Sequence, residues 1–222
     1  MNILLLSGNY KPIPGGQSEQ AVLLAETLVE HGCSVDVISQ RQNDRMPSKE
    51  VINGVSVCRL PEPARSATKR FFRRNIWGLL LFAVRLSVRM IYGNHRYDLC
   101  IIRTVSSYAF VTGLLRAYNL IRYKTIITAE TGGDNDEISY LSSVPFSKVI
   151  LFYIRKNDFF NSNNSENVKH YLELGFPPKR ITKIYNGVDT GAYSSCRYPE
   201  RIRKFSFLAE LNQEKGIHEL LD

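Results

Sequence analysis

The chain opens with an unbroken apolar run, Ile3–Ser7, followed by a stretch rich in Pro and Gly, Asn9–Gln17. Ala21, Leu24, Ala25, Leu28 and Val29 then fall on one stripe of a helix over Ser18–His31. A short continuous apolar run reads as a strand buried on both faces. Gly32 stands where a helix needs a residue that tolerates a left-handed backbone, and Val35–Ser39 is a second buried strand. Strand, loop, helix and strand in this order open a parallel, doubly wound sheet.

The pattern continues downstream. Val51–Leu60 reads as a strand pair around Asn53-Gly54, a tight-turn signal. Phe71–Tyr92 is a long helical stretch, Leu99–Arg103 a short buried strand, Ser107–Asn119 a helix and Thr125–Ala129 a strand. Glu130–Asp136 is a polar loop at that strand's carboxyl end. Ser147–Phe160 and Glu166–Leu174 read as helices, the second closed by Gly175. Ile181–Tyr185 is a strand and Asn186-Gly187 turns after it. Thr190–Arg203 is polar and irregular, Lys204–Leu208 begins another strand, and Gly216–Asp222 begins a helix. The expectation is an α/β chain with a Rossmann-like doubly wound parallel sheet over residues 1–189. A linker over 190–203 and the first elements of a second domain over 204–222 follow. Ligands of such sheets bind beyond the carboxyl ends of the strands. The loops Asn9–Gln17, Arg103–Ser106 and Glu130–Asp136 are therefore expected on one rim.

Composition changes this picture little, and charge changes it more. A hydrophobic content of 44% with 23% charged residues is ordinary for a globular chain. None of the four cysteines has metal-binding or redox spacing, and Cys33, Cys58 and Cys100 sit in or near apolar runs, as buried reduced thiols do. The scattered histidines, His31, His95, His170 and His218, have no ligand spacing, so no metal site is read. The first residues lack the basic lead-in and long apolar core of a secretory signal. A net charge of +8 is concentrated in one place. Eight basic residues and no acidic one lie between Arg65 and Arg96, while the other 21 basic residues balance 21 acidic ones. The basicity is thus a local device.

Three motifs, in order, resemble family 4 glycosyltransferases of the GT-B fold. The first is Tyr10-Lys-Pro-Ile-Pro-Gly-Gly-Gln17 between the first strand and helix. The second is Ile184-Tyr-Asn-Gly-Val-Asp189. The third is Phe207-Leu-Ala-Glu-Leu-Asn-Gln-Glu-Lys-Gly216, similar to the family's donor-phosphate loop. The resemblance implies a retaining hexosyl transfer from a nucleotide sugar, without a metal or other cofactor. The acceptor would lie on the first domain and the donor mostly on the second. It implies substrate-binding roles for Gly15, Gly16 and Lys215. Glycines let a backbone approach the diphosphate or sugar closely, and a lysine at a helix start faces the leaving diphosphate. Glu130 stands where the family commonly carries a histidine, and becomes the catalytic candidate. Ala209 and Glu210 stand where the donor loop usually reads Gly-Arg. The family's paired donor-holding glutamates fall beyond Asp222.

Other readings stay open. Glu130 can equally be a solvated or helix-capping carboxylate, and Arg103 a surface ion-pair partner in place of an acceptor-binding residue. Asn186 and Asp189 can simply make a turn. Between Arg65 and Arg96 the bland reading is a basic surface helix. The sharper one is an interfacial helix on an anionic inner leaflet, because its uninterrupted apolar centre, Ile76–Val84, is too short to span. Interleaved bulky aliphatics argue against nucleic acid. The reduced thiols favour the cytoplasm, and the basic helix a place peripheral to the inner membrane; a glycan or lipid-linked acceptor of a bacterial surface polysaccharide or lipopolysaccharide follows by family analogy. Lacking a donor domain, the chain is expected to be inactive by itself. The alternative is a non-catalytic membrane- or partner-binding module.

Overall fold

The computed structural model describes residues 1–61, 76–130, 137–188 and 190–192. The chain divides into two units, Met1–Gly187 and Val188–Asp222, and the sheet belongs to the first. Eight strands make it: β1 (Asn2–Leu6), β2 (Ser34–Arg41), β3 (Lys49–Ile52), β4 (Val55–Pro61), β5 (Leu99–Arg103), β6 (Lys124–Ala129), β7 (Phe159–Ser162) and β8 (Ile181–Lys183). Their spatial order is β3-β4-β2-β1-β5-β6-β7-β8. All pairs are parallel except β3 with β4. That pair is the hairpin expected at Asn53-Gly54, and both turn residues have positive φ, 49° and 80°.

The helices are α1 (Gly16–Glu30), α2 (Ile76–Tyr92), α3 (Ser107–Ala117), α4 (Glu137–Ser143), α5 (Ser147–Ile154) and α6 (Ser165–Glu173). Strand alternation sorts them onto two faces. Ile3, Leu5, Val35, Val37, Val55 and Val57 pack with Ala21, Val22 and Ala25 of α1. Leu4, Leu6, Cys100, Ile102, Ile127 and Phe160 face the other way, against Phe82, Leu86 and Met90 of α2, Leu115 of α3 and Ile154 of α5. The sheet is doubly wound, as expected. Of the cysteines, Cys100 is buried, while Cys33 and Cys58 are half-buried.

One expected element is corrected. The helix read over Ser147–Phe160 ends at Ile154, and Phe159–Phe160 begin β7. Two aromatics continue a helical stripe as well as they begin a strand, so the partners decide. The Asn157 amide donates to the carbonyls of Ala109 and Ile154, at 3.1 and 2.8 Å. Asp158 accepts from the backbone N–H of Thr125 at 3.0 Å and pairs with Arg116 at 2.8 Å. These bonds tie the turn to α3 and β6, and the chain enters the sheet beside β6. Helix α4 was not expected. The first five residues of the expected helix Phe71–Tyr92 lie outside the described residues.

Candidate functional site

The strands β1, β5 and β6 are neighbours, so their carboxyl ends bring three segments to one rim. The first is the loop from Ser7 to Gly15. The segment at the end of β2 holds it: Gln40 N–H donates to Gly8 O at 3.2 Å, and Gln42 Nε2 to the Asn9 side-chain Oδ1 at 2.9 Å. Tyr10 is wholly buried in the α1-side core, and burial together with the Glu26 carboxylate pushes its hydroxyl pKa up. The fully buried Arg59 of β4 donates to the carbonyls of Lys11 and Pro47 and pairs with Glu50. Lys11 Nζ reaches Glu26 at 2.9 Å, and Glu26 also accepts from Asn53 of the hairpin turn, at 2.9 Å. The hairpin therefore holds the loop.

Gly15 caps α1 with φ 134° and ψ 153° and no side-chain cap. That backbone region belongs almost wholly to glycine. A Cβ at Gly15 or Gly16 would meet nothing within 4 Å. The glycines are thus not forced by crowding inside the protein. Gly15 is forced by its backbone, and open space lies outside both. The first-turn N–H groups of Gly16, Gln17 and Ser18 have no intrahelical acceptor. Glu19 N–H is the first to bond back, to Gly15 O at 2.9 Å. Gln20 of α1 donates to Gly187 O at 3.3 Å, which brings part of the Ile184–Asp189 motif beside this helix. Asn186 is exposed, and Asp189 lies outside the described residues.

The second and third segments follow β5 and β6. Arg103 ends β5, Glu130 follows β6, and the two candidates form an ion pair with each other. Their side chains are only 6% and 4% exposed. This corrects the alternatives read for them: Arg103 has an ion-pair partner but not at the surface, and the Glu130 side chain is not solvated and caps no helix among the described residues. Burial pushes the Glu130 carboxyl above the usual carboxylate range, against the opposing pull of Arg103. Arg103 Nη2 and Glu130 Oε2 find no hydrogen-bond partner among the described residues. The Glu130 carbonyl accepts from Asn163 Nδ2 at 3.0 Å.

Sequence reasoning missed three residues here. Thr104, next to Arg103, has φ 83°, a strained conformation for a residue with a branched Cβ, and its N–H donates to Thr128 O at 2.9 Å. Glu137 at the start of α4 accepts from Val105 N–H and so joins the segment after β5 to α4. Arg59 is the third. An Asn-Gly turn signals a hairpin, but nothing in the sequence says that a hairpin arginine reaches the first loop. Residues 131–136, most of the polar loop expected over Glu130–Asp136, lie outside the described residues, as does Lys215. Among the described residues no group of three His, Cys, Asp or Glu side chains could hold a metal ion.

The family model of Glycosyltransferase Family 4 matches residues 14–192. The chain belongs to that family. Its sheet is the Rossmann-like half of a GT-B fold. Solved structures with the same fold include a sucrose-phosphate synthase from Thermosynechococcus elongatus, at TM-score 0.58 and 17% identity, over 85% of this chain and 48% of that one. An Anabaena protein solved in complex with UDP-glucose matches at TM-score 0.57 and 14% identity, over 88% and 46%. An α,α-trehalose-phosphate synthase from Burkholderia vietnamiensis matches at 0.55 and 9%, over 85% and 49%. This family 4 chain thus spans about half the length of such structures. No curated protein matches it.

Proposed function

We propose that this chain is the acceptor-side half of a retaining, metal-independent glycosyltransferase. It would take a hexosyl group from a nucleotide sugar to a glycan or lipid-linked acceptor. Family membership supports glycosyl transfer in general, and the neighbour solved with UDP-glucose supports a nucleotide-sugar donor. The observation that carries the acceptor-side reading is the charge balance of the rim. Three cations of the described rim each face a carboxylate: Lys11 faces Glu26, Arg59 faces Glu50 and Arg103 faces Glu130. A diphosphate is bound best where an uncompensated cation stands beside open helix-start N–H groups. A neutral, hydroxyl-rich ligand needs paired donors and acceptors, and the open α1 N–H groups with Arg103 and Glu130 offer both. In this reading Lys215 in the second unit meets the donor phosphates. Glu130 accepts an acceptor hydroxyl and serves as the catalytic residue.

A second reading is a non-catalytic binding module. The burial of Glu130 against Arg103 favours it, because a carboxylate shut away in an ion pair is poorly placed to meet a substrate hydroxyl. The reading also places the protein on the cytoplasmic side of a bacterial inner membrane, where a surface polysaccharide or lipopolysaccharide precursor would be built. Support comes from α2, whose outward face exposes Leu80, Leu81, Val84 and Val88 beside Arg85 and Arg89. No described helix is long and apolar enough to cross a membrane.

Saturation-transfer NMR with a panel of mono- and disaccharides and UDP-sugars tests the site. Sugars should bind, and Gly15→Val and Glu130→Gln should weaken them. Binding of UDP alone, unchanged in both variants, would refute the acceptor-side reading. Sugar binding with no transfer when the donor half is supplied as the longer chain would favour the non-catalytic module.

A further inference from the structure

A cavity of about 550 Å³ lies away from the rim, between the β3–β4–β2 side of the sheet and the last turns of α2. Lys49, Cys58, Val88, Arg89, Tyr92 and Tyr97 contribute to its lining. Two acids also line it, and both are engaged. Asp36 accepts from Tyr97 Oη at 2.7 Å and pairs with Arg96 at 3.7 Å, and Glu50 pairs with Arg59. Lys49 and Arg89 have no ion-pair partner among the described residues. Both cations act on the same point: burial pushes the Cys58 thiol up, and Arg89 and Lys49 each work against that. The cavity is therefore a half-apolar hollow with two uncommitted positive charges.

Its outer wall continues into the exposed face of α2. Phe82, Leu86 and Met90 turn inward, while Leu80, Leu81, Val84, Val88, Ile91 and Tyr92 face out, Tyr92 at 83% exposure. An apolar stripe this long is unusual on a solvated surface. A helix with such a stripe and arginines at its edge suits the boundary between headgroups and acyl chains. Val88 and Tyr92 belong to both the stripe and the cavity.

We propose that this cavity takes the phosphate headgroup of an anionic lipid while α2 lies flat in the bilayer surface. Lys49 and Arg89 would hold the phosphate, and the outward aliphatics of α2 would sit among the first acyl carbons. Charge complementarity selects this occupant, since the cavity offers cations beside an apolar stripe and an anionic lipid offers phosphate beside hydrocarbon. The proposal rests on the membrane contact of the preceding section and names its specific site.

Co-sedimentation with phosphatidylcholine vesicles, with and without phosphatidylglycerol, tests it at low salt. The wild type should bind only the anionic vesicles. Each cation near such a surface contributes enough that neutralising one should weaken binding about fivefold, and Lys49→Gln/Arg89→Gln together about 25-fold. Lys169→Gln, at an exposed pair on α6, should change nothing. Circular-dichroism melts check that each variant folds. A second readout uses Cys58 in a Cys33→Ser/Cys196→Ser background, with Cys100 buried. Its maleimide labelling should slow when anionic vesicles are added and not when neutral ones are. Equal binding by wild type and the Lys49/Arg89 variant would overturn the headgroup site. If Leu81→Asp/Val84→Asp then abolished binding, α2 alone would be the membrane contact. No binding of the wild type would overturn both.

Discussion

The ion pair between Arg103 and Glu130 yields the sharpest test of the rim. Both side chains are almost fully buried, at 6% and 4% exposure, and each keeps one polar atom unpartnered among the described residues. Removing one partner of such a pair leaves a buried charge with no counter-charge, which costs about 3–5 kcal/mol. Glu130→Ala and Arg103→Ala should each lose that much. Replacing both with apolar residues of similar size, Arg103→Met/Glu130→Leu, should recover most of it or even gain about 1–4 kcal/mol. The assay is urea unfolding followed by far-UV circular dichroism, with the slope m compared between variants so that midpoints report stability. The double-mutant cycle should return a large coupling. A Glu130→Ala loss below about 0.5 kcal/mol, the range of ordinary surface changes, would refute the reasoning, because it would mean that water reaches the pair.

The same group fixes a pH dependence. Burial holds the folded-state pKa of Glu130 above its unfolded value despite Arg103. Between the two values the folded state binds more protons, so stability falls as pH rises. The contribution is fully present below the ordinary glutamate pKa and is lost as pH climbs through the raised one. Stability measured against pH in wild type and Glu130→Gln should therefore differ in slope in that acidic-to-neutral window. Parallel curves would remove the raised carboxyl from the account.

Two further outcomes concern glycines. Gly15→Ala should cost about 1–3 kcal/mol from backbone strain alone, because its Cβ meets nothing. Gly16→Ala, inside α1 and equally open, should be neutral or stabilising by about 0.4–1 kcal/mol. Chemical denaturation of the pair separates the two. Gly113→Ala on α3 should destabilise by about 1–3 kcal/mol despite alanine's helix propensity, because the new Cβ overlaps the Tyr153 carbonyl of α5. A Gly113→Ala midpoint equal to wild type would show that α3 and α5 can move apart freely.

Much of the fold is legible in the sequence, because in the central strands period and burial agree. Ile3–Leu6 and Leu99–Ile102 are continuous apolar runs, Val35, Val37 and Ile38 dominate the second strand, and a strand covered on both faces admits little else. Gly32, Gly54 and Gly175 mark their turns for a local reason, since each has positive φ. Phe159–Phe160 fails because its strand identity comes from Asp158 and Asn157 bonding to β6 and α3, residues more than thirty positions away. The site divides the same way. Gly15 is visible because its backbone demand is local. Arg103 and Glu130 are visible only as ends of strands. Their pairing depends on β5 lying beside β6, which single positions do not encode.

The rim is also built from farther away than its motif suggests. A loop of Pro and Gly is permissive by itself, and permissive loops do not hold N–H groups in place for a ligand. Here the constraint comes from the β3–β4 hairpin, through Arg59 to the Lys11 carbonyl and through Asn53 to Glu26 to Lys11. Arg59 is fully buried, so its charge is unavailable to a ligand, and Glu50 neutralises it. Lys11 is paired with Glu26, but its side chain stays partly exposed. What the loop presents outward is therefore the positive end of α1, roughly half a charge carried by peptide dipoles, in a geometry fixed in part by the buried Arg59. A partial charge of that size orients hydroxyls and phosphate oxygens alike. The proposed acceptor role of the rim therefore rests on its ion pairs, and the same proposal gives the donor's phosphates to Lys215 of the second unit.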